Sequence, residues 1–295
     1  MDFLITILEQ GLIYGILGLG VYITYKILDF PDLTADGSFP LGAAVTAALI
    51  GRGVNPYLTL PAAFFAGALA GVCTGLIHVK GKVRDLLSGI IMMTALWTIN
   101  LRVAGTANVP LFSQKTIFKN DTLDKLLPSG FSAYSTLLII LIIALIVKII
   151  LDLYLNTKSG YLLRAVGDND KLVTAMAKDE GNVKILGLAI ANGLCSLAGC
   201  IFCQEERVFE ISSGTGAMVI GLASVIIGTS IFKKISFVKT TTAVLIGSII
   251  YKACVAIALK NFEPQDMKLI TAVLFLVILV LSMERKKKVK KNAGA

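Results

Sequence analysis

Long apolar stretches alternate with short polar segments along almost the whole chain. About nine apolar segments can be delimited, at residues 3–27, 38–50, 57–79, 86–104, 133–155, 185–203, 214–232, 238–259 and 267–283. A helix needs about 20 apolar residues to cross the hydrocarbon core of a bilayer, and most of the segments reach that length. The pattern predicts an all-α polytopic membrane protein with about nine transmembrane helices, in a range of about eight to ten because the short segments are ambiguous.

Two details of the pattern bear on how these helices pack. The segment at 38–50 is short and contains Pro40 and Gly42, so we expect a tilted, broken or partly spanning helix. The third segment carries Gly67, Gly71 and Gly75 at four-residue spacing. Such a stripe of small residues lets a second helix approach closely, and we predict a tight helix contact there.

The two halves of the chain contain a weak internal repeat. Residues 38–51 and 214–228 are both rich in glycine and small side chains, and each follows a polar acidic turn. The predicted topology runs them in opposite directions, which indicates two inverted-topology repeats with short or broken helices beside a translocation path. We interpret residues 1–295 as a single transmembrane domain with a first repeat at about 3–104, a linking helix at 133–155, a polar loop at 156–184, a second repeat at about 185–283 and a basic tail at 284–295.

Basic residues predict the orientation of the chain in the membrane. If the tail is cytoplasmic, the loops at 26–37, 78–85, 156–184 and 233–239 are cytoplasmic too, and together with the tail they hold 18 of the 28 Lys and Arg residues. This bias follows the positive-inside rule and places the N-terminus outside the cell. The net charge of +9 therefore indicates a solvated tail near anionic lipid and not a nucleic-acid-binding arm.

Composition and motifs exclude most catalytic chemistry. The chain is 56% hydrophobic and 16% charged, with a mean hydropathy of +0.80, which is too apolar for a soluble domain of this size. His78 is the only histidine, Cys200 and Cys203 have no second pair beside them, and residues 75–82 have the wrong spacing for a phosphate-binding loop. Glu9 is the best carboxylate for ion coupling, although its place near the end of a span favours an interfacial role. The driving force for any transport is therefore expected from another chain.

The polar loop at 156–184 carries the resemblance that defines a family. Its sequence has Gly160, then Arg164-Ala165, Gly167 and Asn169, followed at distances typical of the family by Ala175, Gly181 and Ala198-Gly199. This pattern resembles the permease subunits of bacterial ABC importers for branched-chain amino acids, ribose and related solutes. The sequence from Asp32 to Ala44 is similar to a subgroup associated with amino acid uptake, including aromatic amino acids, while Asp29, Asp32 and Asp168 depart from branched-chain relatives.

The resemblance implies partners and a mechanism. Two permease copies would form the pore, a cytoplasmic ABC ATPase would bind ATP and Mg²⁺, and an extracytoplasmic solute-binding protein would deliver the solute. The loop would lie on the ATPase as a short coupling helix, with Arg164 as a fork for carboxylates or carbonyls and with glycines allowing the turns that bound the helix. The coupling residues would be Gly160, Leu162, Leu163, Arg164, Ala165, Val166, Gly167, Asp168 and Asn169.

Polar residues elsewhere are candidates for the pathway and for an outer surface. The pathway candidates are Asp36, Ser38, Thr94, Asn100, Asn192, Gly214 and Thr215. Asp36 is equally well explained as the cap of the helix that follows it, and the asparagines and Thr94 are also explained by hydrogen bonds between helices. An outer charged cluster of Glu205, Glu206, Arg207 and Glu210 is a candidate contact for the binding protein.

The sequence thus predicts the permease subunit of an ABC importer, a non-enzymatic chain in the bacterial cytoplasmic membrane with its C-terminus in the cytoplasm. The solute would be a branched-chain or aromatic amino acid or a similar small molecule. One alternative is a stand-alone secondary carrier driven by an ion gradient, and another is an ABC permease for a sugar or nucleoside. An intramembrane enzyme is disfavoured because the chain has no catalytic constellation.

Overall fold

The computed structural model of the chain describes residues 2–119, 132–168, 179–233, 237–259, 266 and 269–280. The first half contains α1 (Asp2–Val21), which continues into a π-helical segment (Tyr22–Ile27), then α2 (Thr34–Gly51), α3 (Thr59–Val79) and α4 (Asp85–Ala104). A 3₁₀ turn at Pro56–Leu58 leads into α3, and a short strand β1 (Asn108–Pro110) follows α4. Residues 120–131, in the polar segment that follows β1, lie outside the described part.

The second half begins with α5 (Ser132–Leu155) and the short helix α6 (Lys158–Asp168). The next elements are α7 (Glu180–Glu206), strand β2 (Val208–Glu210), a 3₁₀ turn (Ile211–Gly214), α8 (Ala217–Ile231), α9 (Thr240–Leu259) and α10 (Leu269–Val280). Within the described residues, seven helices are long and apolar enough to cross a membrane. The prediction of an all-α polytopic membrane protein is therefore confirmed.

The helices form a bundle around two central members. In the most apolar 18-residue stretch of each helix, 78% is buried in α7 and 72% in α1 with its π-helical continuation, but only 17% in α5. A helix that is apolar on all sides yet mostly exposed is suited to a lipid environment. The long apolar side chains of α5, including Leu141, Ile146 and Ile150, therefore face outward from the bundle.

The two segments of the predicted repeat, at 38–51 and 214–228, differ in how their helices are built. α2 runs unbroken through Pro40 and is buried along most of its length, so the segment predicted to be short or broken is a continuous 18-residue helix. Its counterpart is interrupted, because the 3₁₀ turn ends at Gly214 and Gly216 takes a left-handed conformation (φ +83°) before α8 begins. A Cβ at Gly214 would meet the carbonyl oxygen of Asp36 and would lie 2.8 Å from Cγ of Pro40. Glycine is thus required where the interrupted segment crosses α2.

The glycine stripe of α3 packs against α7. A Cβ at Gly67 would lie 3.0 Å from the carbonyl carbon of Asn192, and a Cβ at Gly75 would lie 2.9 Å from Cα of Ile185. Gly71 lies between them against Leu188, so the two antiparallel helices are in backbone contact over two turns. The predicted close helix contact is confirmed, and its partner is the central helix α7.

A second pair of helices packs in a similar way. On α1, a Cβ at Gly11 would lie 2.9 Å from Cα of Ile249, and Gly15 contacts Leu245, both on α9. Each pair is also linked by a serine hydroxyl that donates to a backbone carbonyl: Ser196 to Ala63 at 2.6 Å between α7 and α3, and Ser248 to Gly11 at 2.5 Å between α9 and α1. The contact of α3 with α7 thus has a counterpart in the contact of α9 with α1, and both contacts join the two halves.

Candidate functional site

A buried hydrogen-bond network lies where α2, α7 and the turn before α2 meet. The side-chain amide of Asn192 on α7 donates to Asp32 Oδ2 at 2.7 Å, and Ser38 Oγ donates to Asn192 Oδ1 at 2.8 Å. All three side chains are almost inaccessible to solvent. Because a buried amide that accepts and donates in this way has few other orientations, Asn192 fixes the turn and α2 against the central helix.

The carboxylate of Asp32 also accepts a hydrogen bond from its own segment of the chain. Its Oδ1 accepts the backbone N–H of Thr34 at 2.9 Å, which caps the first turn of α2. The Thr34 hydroxyl lies 2.9 Å from that of Thr74 on α3, so the network reaches a third helix. Burial raises the pKa of Asp32, while the hydrogen bonds from Thr34 and Asn192 oppose that rise because they stabilise the ionised form.

Asp36 connects the two halves of the molecule. Its carboxylate accepts the backbone N–H of Met218 at 2.6 Å and that of Gly216 at 3.1 Å, both at the start of α8. The first N–H groups of a helix have no partner within the helix, and a carboxylate there also interacts favourably with the helix dipole. One of the two readings of Asp36 was a cap of the helix that follows it, and this reading was wrong. Asp36 lies in the first turn of α2 and caps α8, and Asp32 accepts the first N–H of α2.

The structure brings only some of the predicted pathway residues together. Asp36, Ser38, Asn192 and Gly214 lie along the contact of α2 with α7 and with the start of α8. Asn100 is buried nearby and donates to the carbonyl oxygen of Gly37 at 3.1 Å, while its own Oδ1 is buried without a hydrogen-bond partner among the described residues. Thr94 and Thr215 are exposed and stand apart from this network.

Sequence reasoning missed three members of this network. Asp32 and Thr34 were noted only within the stretch similar to the amino acid uptake subgroup, Asp32 also as a departure from branched-chain relatives, and Thr74 was not singled out at all. The signal for Asp32 was present, since it stands two residues before the start of α2 in a spacing typical of helix caps. Thr74 carried no signal, because a threonine within an apolar helix usually bonds to its own backbone, and Thr74 does so to Ala70 as well.

The predicted coupling helix is present as α6, and one of its faces is apolar. Leu163 and Val166 are fully buried against the bundle, whereas Tyr161, Arg164 and Asp168 are exposed on the other side. The Arg164 guanidinium lies 6.0 Å from the ring centre of Tyr161. The apolar face of α6 therefore holds the helix on its own chain, and the exposed face is polar and aromatic. Asn169, the last of the predicted coupling residues, lies outside the described part.

The glycines of α6 do not form the turns that were expected of them. Gly160 and Gly167 both lie inside the helix and have ordinary helical conformations. A Cβ at Gly160 would lie 2.5 Å from Cα of Leu155, and one at Gly167 would overlap the carbonyl oxygen of Ile27. Their role is close approach, since they let α6 touch the ends of α5 and of the π-helical segment.

The outer charged residues lie at the opposite end of the bundle from α6. Glu206 accepts a hydrogen bond from Gln10 at 3.2 Å, and Glu210 on β2 accepts one from Ser212. Arg207 takes a left-handed conformation (φ 57°) and ends α7. Glu205 is partly buried, and its Oε2 is enclosed without a hydrogen-bond partner among the described residues.

Cys200 and Cys203 take part in packing, and no metal-binding cluster accompanies them in the part of the chain that the structure describes. Among the described residues, no group of three or more His, Cys, Asp or Glu side chains is placed to hold a metal ion. Cys200 and Cys203 are buried thiols, and Cys200 contacts the Thr59 hydroxyl at 3.4 Å and Gln204 at 3.6 Å. These contacts are those of small core side chains.

Comparison with known proteins assigns the chain to a family. A family model described as "Branched-chain amino acid transport system / permease component" matches residues 3–283. The chain belongs to this permease family. A tyrosine transport system permease protein of Clostridioides difficile is 41% identical over 280 residues, which cover 95% of this chain and 91% of the relative. A probable branched-chain amino acid transport permease protein, LivH of Methanocaldococcus jannaschii, is 32% identical over 72% of this chain and 70% of its own length.

More distant relatives transport other solutes. The ribose import permease protein RbsC of Escherichia coli is 25% identical over 76% of this permease and 68% of its own length. No solved structure shows significant similarity to the chain. The permease is a transport subunit and a multi-pass membrane protein, and ATP hydrolysis belongs to a separate ATPase. Membership of this family decides against a stand-alone carrier and against an intramembrane enzyme.

Proposed function

We propose that this permease forms the translocation pathway of an ABC importer for an aromatic amino acid, with tyrosine as the first substrate to test. The observation that carries the proposal is the 41% identity, over 95% of the chain, to a tyrosine transport system permease. The branched-chain and ribose relatives are less similar and cover less of the chain. Their existence makes leucine and ribose the informative competitors.

The experiment is uptake of radiolabelled tyrosine by cells that lack this permease and by the same cells carrying it on a plasmid. We expect uptake only in the second strain, inhibited by unlabelled tyrosine and phenylalanine and not by ribose. Equal uptake in the two strains, or inhibition by ribose alone, would overturn the assignment. An uncoupler that leaves cellular ATP intact provides a control, because an ATP-driven importer keeps working when the ion gradient collapses.

The proposal places the permease in the bacterial cytoplasmic membrane with its C-terminus in the cytoplasm. Support comes from the distribution of basic residues, of which 18 of 28 lie in the tail and in the loops of one side. In this orientation α6 lies at the cytoplasmic end. The antiparallel strand pair β1–β2, in which Val109 pairs with Phe209, lies with Glu206 and Glu210 at the outer end.

We propose further that α6 docks on the cytoplasmic ATPase. Its exposed face presents Arg164 and Tyr161, a planar cation and an aromatic ring of the kind that dominate protein interfaces. Its buried face is locked to the bundle through Leu163 and Gly167. A displacement of α6 would therefore move the π-helical segment that continues α1, because Gly167 contacts the backbone of Ile27 with no side chain between them.

Site-specific photo-cross-linking tests this contact. A photoreactive side chain at Tyr161 should capture the ATPase in native membranes, and the charge reversal Arg164→Glu should reduce that capture at least tenfold. A photoreactive side chain at Tyr57, which is exposed at the other end of the molecule, is the matched control and should not capture the ATPase. Capture from Tyr57 but not from Tyr161 would show that the orientation is reversed.

We place the pathway along the contact of α2 with α7 and the start of α8. Support comes from the buried polar network of Asp32, Ser38 and Asn192 and from Asp36, which joins the two halves. The corresponding contacts of α3 with α7 and of α9 with α1 are those expected of an inverted repeat. Rocking of one half against the other would strain the bonds from Asp36 to α8 first.

The remaining partners follow from the importer assignment. We propose two copies of the permease in each transporter, an extracytoplasmic solute-binding protein that contacts the outer charged cluster, and membrane lipid around the outward-facing α5. Native mass spectrometry of the purified transporter should give two permease chains. Reversing the charge of Glu210 should weaken uptake without changing the amount of permease in the membrane, and unchanged uptake would remove Glu210 from the proposed contact.

A further inference from the structure

A lysine inside the membrane-spanning part of α9 has an unusual environment. The Nζ of Lys252 lies 3.7 Å from the ring centre of Tyr14 and 3.4 Å from Oε1 of Gln10, both on α1. Among the described residues, no carboxylate oxygen lies within 4 Å of this ammonium group. An ionisable side chain within a membrane helix is costly and usually marks a functional site. Tyr14 and Gln10 hold the ammonium without neutralising it.

The end of α7 carries two carboxylates, Glu205 and Glu206, of which Glu206 is linked to this lysine through Gln10. The amide of Gln10 donates to Glu206 Oε1 at 3.2 Å, and the Oε1 of Gln10 lies 3.4 Å from Nζ of Lys252. Glu205 is different, because its Oε2 is enclosed and has no hydrogen-bond partner among the described residues. A buried carboxylate oxygen without a donor is rare in a native structure and calls for one.

These groups form a set that no helix could assemble alone. Gln10 and Tyr14 come from α1, Glu205 from α7 and Lys252 from α9, and the packing of α9 on α1 through Gly11 and Gly15 brings them together. The set lies at the end of the bundle opposite to α6, which is the outer end in the proposed orientation. It offers one cation, one carboxylate in need of a donor and an aromatic ring beside them.

We propose that Lys252 and Glu205 recognise the two charged groups of an amino acid as it enters the permease from outside. Lys252 takes the α-carboxylate, and Glu205 takes the α-ammonium group, whose N–H donors satisfy its enclosed oxygen. A zwitterion fits this arrangement because its two oppositely charged groups are attached to the same carbon atom, whereas a sugar carries neither charge. The inference rests on the proposed function to the extent that the solute is an amino acid.

The test is binding of tritiated tyrosine to the permease–ATPase complex in lipid nanodiscs. The binding protein is left out because it would itself select the zwitterion. Tyramine, which lacks the carboxylate, and 3-(4-hydroxyphenyl)propionate, which lacks the ammonium group, serve as competitors. We expect both to compete at least tenfold more weakly than unlabelled tyrosine. Lys252→Met should weaken tyrosine binding at least tenfold and abolish its advantage over tyramine. Glu205→Gln should abolish the advantage of tyrosine over 3-(4-hydroxyphenyl)propionate.

Matched variants separate recognition from folding. Lys148→Met removes another lysine of a spanning helix, which pairs with Asp152 at 3.0 Å, and should leave tyrosine binding unchanged. Lys252→Arg keeps the charge and should retain most of the binding. The double exchange Lys252→Glu with Glu205→Lys should restore part of the binding that each single reversal loses. Basal ATP hydrolysis by each complex shows that it has assembled.

The outcomes distinguish this inference from the proposed function. If tyrosine uptake by cells depends on the permease but binding is absent in the wild type or is unaffected by the two variants, the site is wrong and the function stands. If the wild type binds leucine and not tyrosine, with the same dependence on Lys252 and Glu205, the substrate is wrong and the site stands. Equal loss in all variants, Lys148→Met included, would assign Lys252 a purely structural role and overturn the inference.

Discussion

Asn192 is the residue on which the central polar network depends. Replacement by alanine would remove the donor to Asp32 and the acceptor for Ser38 at once, leaving a buried carboxylate with one partner fewer. We expect Asn192→Ala to lower the free energy of unfolding by about 3 kcal/mol, measured as a lower thermal midpoint of the detergent-solubilised permease. Thr94→Val is the control, because Thr94 is exposed and bonds only to its own helix at Ile90, and we expect a change within about 0.5 kcal/mol. Equal stability of the two variants would contradict the role of Asn192.

Asp36 allows a capping role to be separated from a role in transport. Asparagine caps helices about as well as aspartate, but it has one acceptor oxygen where Asp36 uses two, so Asp36→Asn should lose one of the two bonds to α8 and cost less than Asp36→Ala, for which we expect a loss of about 1 kcal/mol. Thermal midpoints and tyrosine uptake are measured on both variants. If uptake follows stability, Asp36 acts only through α8. A stable Asp36→Asn variant that no longer transports would show that the charge itself is needed.

At the same scale, the limits of sequence reasoning are visible in particular side chains. Ser38 and Asn192 were selected as polar residues in apolar helices, and the structure joins them directly. The partner of Asp36 could not be predicted, because α8 begins some 180 residues later and only the tertiary packing of α2 brings the two together. Lys252 lies within an apolar segment of the sequence, but nothing in the sequence placed it above the ring of Tyr14.

At the level of helices, the glycine stripe of α3 makes a quantitative prediction. A Cβ at Gly71 would lie 2.6 Å from the carbonyl carbon of Leu188, which is backbone and cannot swing away. We expect Gly71→Ala to cost about 2–3 kcal/mol by forcing α3 and α7 apart. Gly51→Ala, at the end of α2 where nothing lies within 4 Å of the added carbon, should be neutral or slightly stabilising. The comparison is made on thermal midpoints, and a tolerated Gly71→Ala would mean that the contact between α3 and α7 is looser than described.

The positions of the helices were predicted more reliably than the contacts that each helix makes. The nine predicted apolar segments all contain a helix in the described residues, since a bilayer requires long apolar runs that are plain in the sequence. The role of α6 was harder, because Leu163 and Val166 were expected to face the ATPase and instead pack on the bundle. Amphipathic periodicity identifies the apolar face of a helix, but it does not say which partner covers that face.

For the whole molecule, the proposals for α6 and for Lys252 both depend on the orientation of the bundle in the membrane. The bundle has an α6 end and a strand-pair end with β1 and β2, and the charge bias assigns the α6 end to the cytoplasm. Single cysteines introduced into a variant without its five native cysteines can be labelled in intact cells with a membrane-impermeant maleimide. We expect labelling at Arg52→Cys and Glu210→Cys, at the strand-pair end, and labelling at Lys82→Cys and Lys158→Cys only after the cells are opened. Because both pairs are exposed, accessibility alone cannot produce this difference. The reverse pattern would place α6 outside the cell, where no ATPase can reach it, and would move the proposed amino acid site to the cytoplasmic side.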